Sequence, residues 1–188
     1  MFVRMVDEGL ERFLRAQLPL PEDLGDISFE APTGNWSAQL SRITVNLFLY
    51  EVARSSHPAR AATQRVDANG RSERRAPQPM VQLNYLVSAW AGSPRDEHQL
   101  LGDVISRIAP CDVLPAEHLP AELASTVHLG FGTDERNRPR EVWGAAGGQL
   151  KASFTLQATV AADSFAWQDQ APLVTRIEAL AAPRPTTR

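Results

Sequence analysis

The chain has 188 residues, a length that suits one domain, and its hydrophobic share of 43% is enough to fill a core. The net charge of −3 supplies no basic field for nucleic acid, and the single cysteine, Cys111, excludes an internal disulfide and a cysteine-rich metal site. No apolar run approaches the roughly 20 residues that span a bilayer, and charges interrupt the N-terminal residues where a secretory signal needs an apolar stretch, so we expect folding in the cytoplasm and no membrane partner.

The N-terminal part of the chain predicts one helix and two strands. Apolar residues recur at spacings of three and four across residues 3–18, which is typical of an amphipathic helix, and two prolines end the pattern. A short strand is expected over residues 26–30, followed by a turn at residues 32–35 and a clearer strand over residues 42–53. One face of this second strand is apolar. The other face mixes polar and aromatic side chains, namely Thr44, Asn46, Phe48 and Tyr50.

Residues 54–79 form an arginine-rich segment of different character. Large apolar residues are almost absent there, and Asn69-Gly70 marks a tight turn, so we predict a hairpin-like excursion or a mobile arm. A solvated loop and an arm that orders against a protein partner both stay open as interpretations. Nucleic acid is disfavoured because interleaved aromatic residues for base stacking are missing and the whole chain is acidic. The candidate interface residues of this segment are Arg60, Arg65, Arg71, Arg74 and Arg75.

The next two predicted elements are a strand and a helix. The strand covers residues 80–91 and places Val81, Leu83, Tyr85, Val87 and Ala89 on its core face. Trp90 ends its other face and is a candidate anchor for a protein contact, or it packs against the helix that follows. Ser93-Pro94 begins that helix, and its apolar stripe continues to Ile108.

The C-terminal third of the chain is predicted to be less regular before a last strand. We expect one helical turn, a short strand over residues 126–131 and a short helix from Glu141 to Gly147-Gly148. Alternation over residues 150–161 predicts a strand, and residues 183–188 are expected to be disordered. The inward residues of that strand are predicted to be Leu150, Ala152, Phe154, Leu156, Ala158 and Val160. The outward residues are predicted to be Lys151, Ser153, Thr155, Gln157 and Thr159. This order predicts one α+β domain over residues 1–182, with a mostly antiparallel or mixed sheet and flanking helices.

Motifs that carry chemistry are not found. The four histidines lack metal-ligand spacing, no G-x-S-x-G elbow occurs, and the glycine-rich stretches lack the lysine and hydroxyl of a phosphate loop. We therefore predict no catalytic, metal-binding or cofactor-binding residue, and a protein that is not an enzyme. The alternative is a small cytoplasmic enzyme with a pocket beside Asn46, Asn84 and Trp90.

Three segments in a fixed order carry a family resemblance. They are ITVNLFLYEV (residues 43–52) before the arginine-rich segment, PQPMVQLNYLVSAW (residues 77–90) leading into EHQLLG (residues 97–102), and VWGA (residues 142–145) before the last strand. Together they resemble the cap, or tail-terminator, proteins of phage-tail-like contractile injection systems of the antifeeding-prophage and virulence-cassette type.

The resemblance implies a structural function and a tail-terminator-like fold. Family members form a ring, expected to be hexameric, that ends the sheath and inner tube at the end of the particle distal to the baseplate. The implied partners are other copies of the chain, the sheath protein and the inner tube protein, with cytoplasmic assembly into the particle. A different tail component, such as a tube terminator or a baseplate adaptor, is the structural alternative.

Overall fold

The computed structural model describes residues 2–132 and 139–170. These residues fall into two compact units. The first contains the described residues up to Arg60 together with Gln78–Ser164, and the second contains Ala61–Pro77 and the described residues from Phe165 onwards. The predicted domain end at residue 182 and the predicted tail at residues 183–188 lie outside the described residues.

The helices and strands alternate irregularly along the chain, as the sequence predicts for an α+β protein. In chain order they are α1 (Phe2–Gln17), β1 (Gly25–Ser28), α2 (Gly34–Ala38), β2 (Ile43–Arg54), β3 (Thr63–Val66), β4 (Ser72–Arg75), β5 (Met80–Trp90), α3 (Pro94–Ile108), β6 (His128–Phe131), α4 (Pro139–Ala146), β7 (Ser153–Ala161) and β8 (Gln168–Asp169). A 3-10 turn covers Ala116–His118. The short helix α2 was not predicted, and it begins within the turn expected at residues 32–35.

A mixed five-stranded sheet forms the centre of the first unit, with the order β1-β2-β5-β7-β6. The strand β1 runs parallel to β2, whereas the remaining neighbours in this sheet are antiparallel. The predicted α+β class with a mixed sheet is therefore confirmed. Because β1 and β6 form its two edges, the sheet ends in two short strands of four residues each.

The hydrophobic core lies between one face of this sheet and the helices α1 and α3. Its helical side chains recur at spacings of three and four, as the amphipathic patterns predict. The helix α3 begins where the sequence predicts, since the Ser93 side chain accepts a hydrogen bond from the Asp96 backbone N–H and Pro94 occupies the first turn. The sheet contributes Val45, Leu47, Leu83, Tyr85, Val87, Leu156, Ala158 and Val160 to the core cluster.

The beginning of β7 differs from the prediction. Leu150 was expected to face inward but is 64% exposed, because strand pairing with β5 starts only at Ser153. The second face of the strand differs as well, since Thr155 and Thr159 are buried although they were expected to face outward. The second face of the sheet is therefore largely covered and not open to water.

A buried polar contact joins α1 to the sheet. The Tyr85 hydroxyl donates a hydrogen bond to Asp7 Oδ1 at 2.7 Å, and Tyr85 itself is 0% exposed. Burial raises the pKa of the Asp7 carboxyl, partly opposed by the hydrogen bond from Tyr85, and the nearby Glu8 charge raises it further. Burial and the Asp7 charge also raise the pKa of the Tyr85 phenol, which therefore stays protonated and donates.

Replacement of Asp7 by asparagine is expected to remove a pH-dependent loss of stability. The raised pKa of Asp7 means that the folded protein binds its proton more tightly than the unfolded chain does. The stabilisation is complete at pH values below the unfolded pKa and is lost as the pH rises through the folded pKa. Urea unfolding of wild type and Asp7→Asn at several pH values from 4 to 7 measures the difference. Asp23→Asn, at an exposed position, is the control. If the free energy of unfolding changes with pH in the same way for wild type and Asp7→Asn, this assignment is contradicted.

Candidate protein interface

Three tryptophans form a cluster on the second face of the central sheet, opposite α1 and α3. Trp36 of α2 meets Trp90 edge-to-face, with 5.2 Å between ring centroids, and Trp90 lies 6.1 Å from Trp143 of α4. Trp143 is 1% exposed, and its Nε1 donates a hydrogen bond to Ser153 Oγ at 3.0 Å. The side chain of Trp90 therefore joins two short helices to the end of β5.

Trp90 is half-buried, and polar groups frame its remaining surface. Its Nε1 donates to Ser88 Oγ at 3.1 Å, and Lys151 Nζ lies 4.2 Å from the centre of its ring. Lys151 also pairs with the Glu97 carboxylate of α3. This cation–π contact stabilises the corner by roughly 0.5–2 kcal/mol. Much of the Trp90 side chain is thus covered by contacts within the chain. Its exposed part lines a groove that Ile43 lines as well.

The arginine-rich segment folds into a small sheet in the second unit, with the order β3-β4-β8. The hairpin turn is built by Asp67, whose carboxylate accepts hydrogen bonds from the backbone N–H groups of Asn69 and Arg71. These bonds lower the pKa of Asp67. Gly70 has a φ of 78°, in the left-handed region that favours glycine. The predicted tight turn at Asn69-Gly70 thus lies at the tip of a regular hairpin.

Two of the predicted interface arginines hold a tryptophan of the second unit. The guanidinium carbons of Arg65 and Arg75 lie 4.2 and 5.1 Å from the ring centre of Trp167. Arg65 Nε also donates to Glu73 Oε2 at 2.7 Å. These contacts stabilise the small sheet, so the two side chains are engaged within the chain.

The other predicted arginines lie in different surroundings. Arg71 and Arg74 are exposed, and Arg74 shares its side of the small sheet with Val66, which is 67% exposed. Arg60 lies at the base of the hairpin, where its backbone N–H and carbonyl exchange hydrogen bonds with Gln78 at 2.8 and 3.0 Å. The predicted site residues are therefore distributed over both units.

The amides proposed for an enzyme pocket have structural contacts instead. Asn46 Nδ2 donates to the carbonyls of Ser28 and Glu30, and Asn84 Nδ2 donates to Glu51 Oε2. Both asparagines are almost fully buried, at 0% and 3% exposure, and so do not line an open cleft with Trp90. Within residues 2–132 and 139–170, no group of three or more histidine, cysteine, aspartate or glutamate residues is placed to hold a metal ion.

The sequence singled out Trp90 and the arginines but missed the residues that surround them. Trp36, Trp143, Trp167 and Lys151 complete these contacts. One signal was present, because tryptophans are large side chains that seldom stay without a packing partner. No helix in the described part of the chain has the length and apolar character that a membrane crossing requires.

Comparison with known proteins relates the chain to terminators of contractile injection systems. A family model described as the Pvc16 N-terminal domain matches residues 5–176. The chain is similar to the solved PVC sheath/tube terminator of an extracellular contractile injection system in the extended state, with a TM-score of 0.67 and 20% identity over 99% of this chain and 65% of that chain. It is also similar to the anti-feeding prophage cap, a tube terminating cap, with a TM-score of 0.58 and 15% identity over 97% of this chain and 60% of that chain.

These likenesses show a shared fold. The chain spans 65% and 60% of the two solved terminators, which is less than two thirds of either. No curated protein matches the chain.

Proposed function

The chain belongs to the Pvc16 N-terminal domain family, and from this premise we propose that it is a structural cap of a contractile phage-tail-like injection particle. The cap terminates the sheath and the inner tube at the end distal to the baseplate. The observation that carries this proposal is the fold shared with a PVC sheath/tube terminator over 99% of the chain. The family match over residues 5–176 supports the same role from the sequence side.

The cap acts as a ring of identical copies, which we take to be a hexamer. A closed ring requires a heterologous contact, in which one surface of a copy meets a different surface of its neighbour. The two edges of the central sheet differ in sequence and in strand direction, because β1 pairs in parallel and β6 pairs antiparallel. Such different edges suit a head-to-tail arrangement of copies.

The arginine-rich hairpin is the proposed contact with the sheath and the inner tube. Its exposed arginines, Arg71 and Arg74, offer charge to a partner, whereas Arg65 and Arg75 act indirectly by holding Trp167 and the shape of the hairpin. Arg60 and Trp90 belong to the first unit and are assigned to the contact between copies. The partners are thus the sheath protein, the tube protein and the chain itself.

The function is structural, and the chain is not an enzyme in this proposal. The solved proteins that share its fold are a terminator and a cap. The chain assembles in the cytoplasm and then remains part of the particle. A cap needs surfaces that bind its partners and no reacting group. The amides considered for an enzyme pocket, Asn46 and Asn84, form hydrogen bonds within the chain, which agrees with this role.

Particles produced without this chain are expected to have overlong or unfinished tubes. A terminator stops polymerisation by covering the growing end, so its loss leaves the length uncontrolled. Electron microscopy of particles from strains with and without the gene measures this, and complementation with the wild-type chain restores the normal length. Particles of normal length without the chain would contradict the proposal. A label on the chain that appears at the baseplate end would instead indicate a baseplate adaptor.

A further inference from the structure

A basic pocket of about 240 Å³ lies where β2 ends and β6 begins. His57, Arg60 and His128 line it, together with the apolar side chains of Pro58 and Met80. The two imidazole rings are stacked, with 6.3 Å between centroids and 11° between planes. Among the described residues, no aspartate or glutamate lines this pocket. The lining of the pocket therefore contains one permanent positive charge and two imidazoles, and no acidic side chain of the described lining compensates them.

The basic groups of the pocket are held in place by their surroundings. Ser55 is 8% exposed, and its Oγ lies 2.9 Å from His57 Nδ1 and accepts the His57 backbone N–H at 3.1 Å. His57 therefore keeps its Nε2 for a ligand. The backbone of Arg60 is fixed by its two hydrogen bonds to Gln78. A pocket lined by an arginine and two imidazoles favours a carboxylate, which accepts charge-assisted hydrogen bonds.

The diagonally opposite corner of the same sheet carries an acidic turn. It precedes β1, which pairs with the first residues of β2, whereas the pocket lies beyond the last residues of β2. Glu22 and Asp23 are exposed, and their carboxylates have no ion-pair partner within residues 2–132 and 139–170. The adjacent Leu24 is 59% exposed. This turn offers two carboxylates and one apolar side chain to a partner.

We propose that the turn Glu22–Leu24 of one copy enters the basic pocket of the next copy. Its carboxylates pair with Arg60 and the two imidazoles, and Leu24 packs against Pro58 at the mouth of the pocket. The contact joins two different surfaces, so its repetition generates a ring when the rotation between neighbouring copies closes. This inference rests on the ring proposed above and names the contact that closes it.

Charge reversal tests the contact from both sides. Arg60→Glu, and separately the double variant Glu22→Arg with Asp23→Arg, are expected to weaken self-association of the purified full chain at least about tenfold. Combining the three substitutions is expected to restore the association to within about threefold of wild type, because the charges are exchanged and the pair is kept. Sedimentation velocity over a concentration series measures the association. Arg95→Glu and Glu122→Arg, both exposed elsewhere, are the matched controls.

Circular dichroism and thermal melting first establish that each variant is folded. A wild-type chain that stays monomeric up to about 100 µM would overturn the contact. Unchanged self-association of Arg60→Glu would overturn it as well. So would a folded combined variant whose self-association stays as weak as that of the variants with one side changed. Loss of particle binding with intact self-association would place an acidic residue of another protein in the pocket, which contradicts a second copy. Capping of particles is measured separately, so the cap function stands if only the contact between copies fails.

Discussion

Excision of Ala61–Pro77 is expected to leave the first unit folded and to abolish capping. Arg60 and Gln78 already exchange two backbone hydrogen bonds, so a short glycine-serine linker joins them without moving either strand. The excised segment contributes no residue to the hydrophobic core cluster. Melting followed by circular dichroism should therefore shift by no more than about 5 °C. Electron microscopy of particles made with the excised chain should show uncontrolled tube length.

Point variants test the charge of the hairpin while the hairpin itself is kept. Arg71→Glu combined with Arg74→Glu keeps the hairpin and reverses its exposed charge, so we expect reduced particle binding with normal stability. Arg95→Glu removes an exposed arginine of α3 and serves as the control. Normal-length particles capped by the excised chain would show that the hairpin has no part in termination.

Replacement of Trp143 by alanine is expected to be the most destabilising single change in the tryptophan cluster. The side chain is 1% exposed, contacts Trp90 and donates a hydrogen bond to Ser153. Its loss should lower the free energy of unfolding by about 3–5 kcal/mol, because the sheet and α4 close only partly over the cavity. That is a large fraction of the roughly 5–15 kcal/mol that stabilises a typical domain.

Urea unfolding followed by far-ultraviolet circular dichroism measures the loss. Trp36→Ala is the matched control, since Trp36 belongs to the same cluster but is half-buried on the short helix α2. It should cost clearly less than Trp143→Ala. Equal losses for the two variants, or a loss below about 1 kcal/mol for Trp143→Ala, would show that the cluster does not hold α4 on the sheet.

Local periodicity was sufficient to predict α1, α3 and the core face of β5. The side chains of α1 and α3 repeat at helical spacing, and those of β5 alternate, so burial on one side follows from the pattern alone. The parallel pairing of β1 with β2 was not predictable. The sequence of a strand as short as the four residues of β1 does not specify whether it pairs parallel or antiparallel. The beginning of β7 was wrong for a related reason, since alternation continues through Leu150 although pairing does not.

The interface candidates were harder to predict than the fold. Charge and low hydrophobicity suggested a hairpin-like excursion or a mobile arm. The contact of Arg65 and Arg75 with Trp167 was not predictable, because that tryptophan lies far along the chain. The basic pocket depends on His57 and His128, which lie far apart in the sequence and are brought together by the fold. Spacing rules detect histidine pairs on one helix and not pairs that a sheet brings together.

The distribution of the four tryptophans has an optical consequence. Trp36, Trp90 and Trp143 lie close enough for excitation energy to pass between their rings, with neighbouring centroids 5.2 and 6.1 Å apart. Trp167 is placed differently, against two guanidinium groups in the second unit. Its emission responds to charge and water around the hairpin, whereas the cluster emits from the first unit, where Trp143 is 1% exposed. The chain therefore carries an intrinsic fluorescent reporter of its hairpin, separate from the cluster in the first unit.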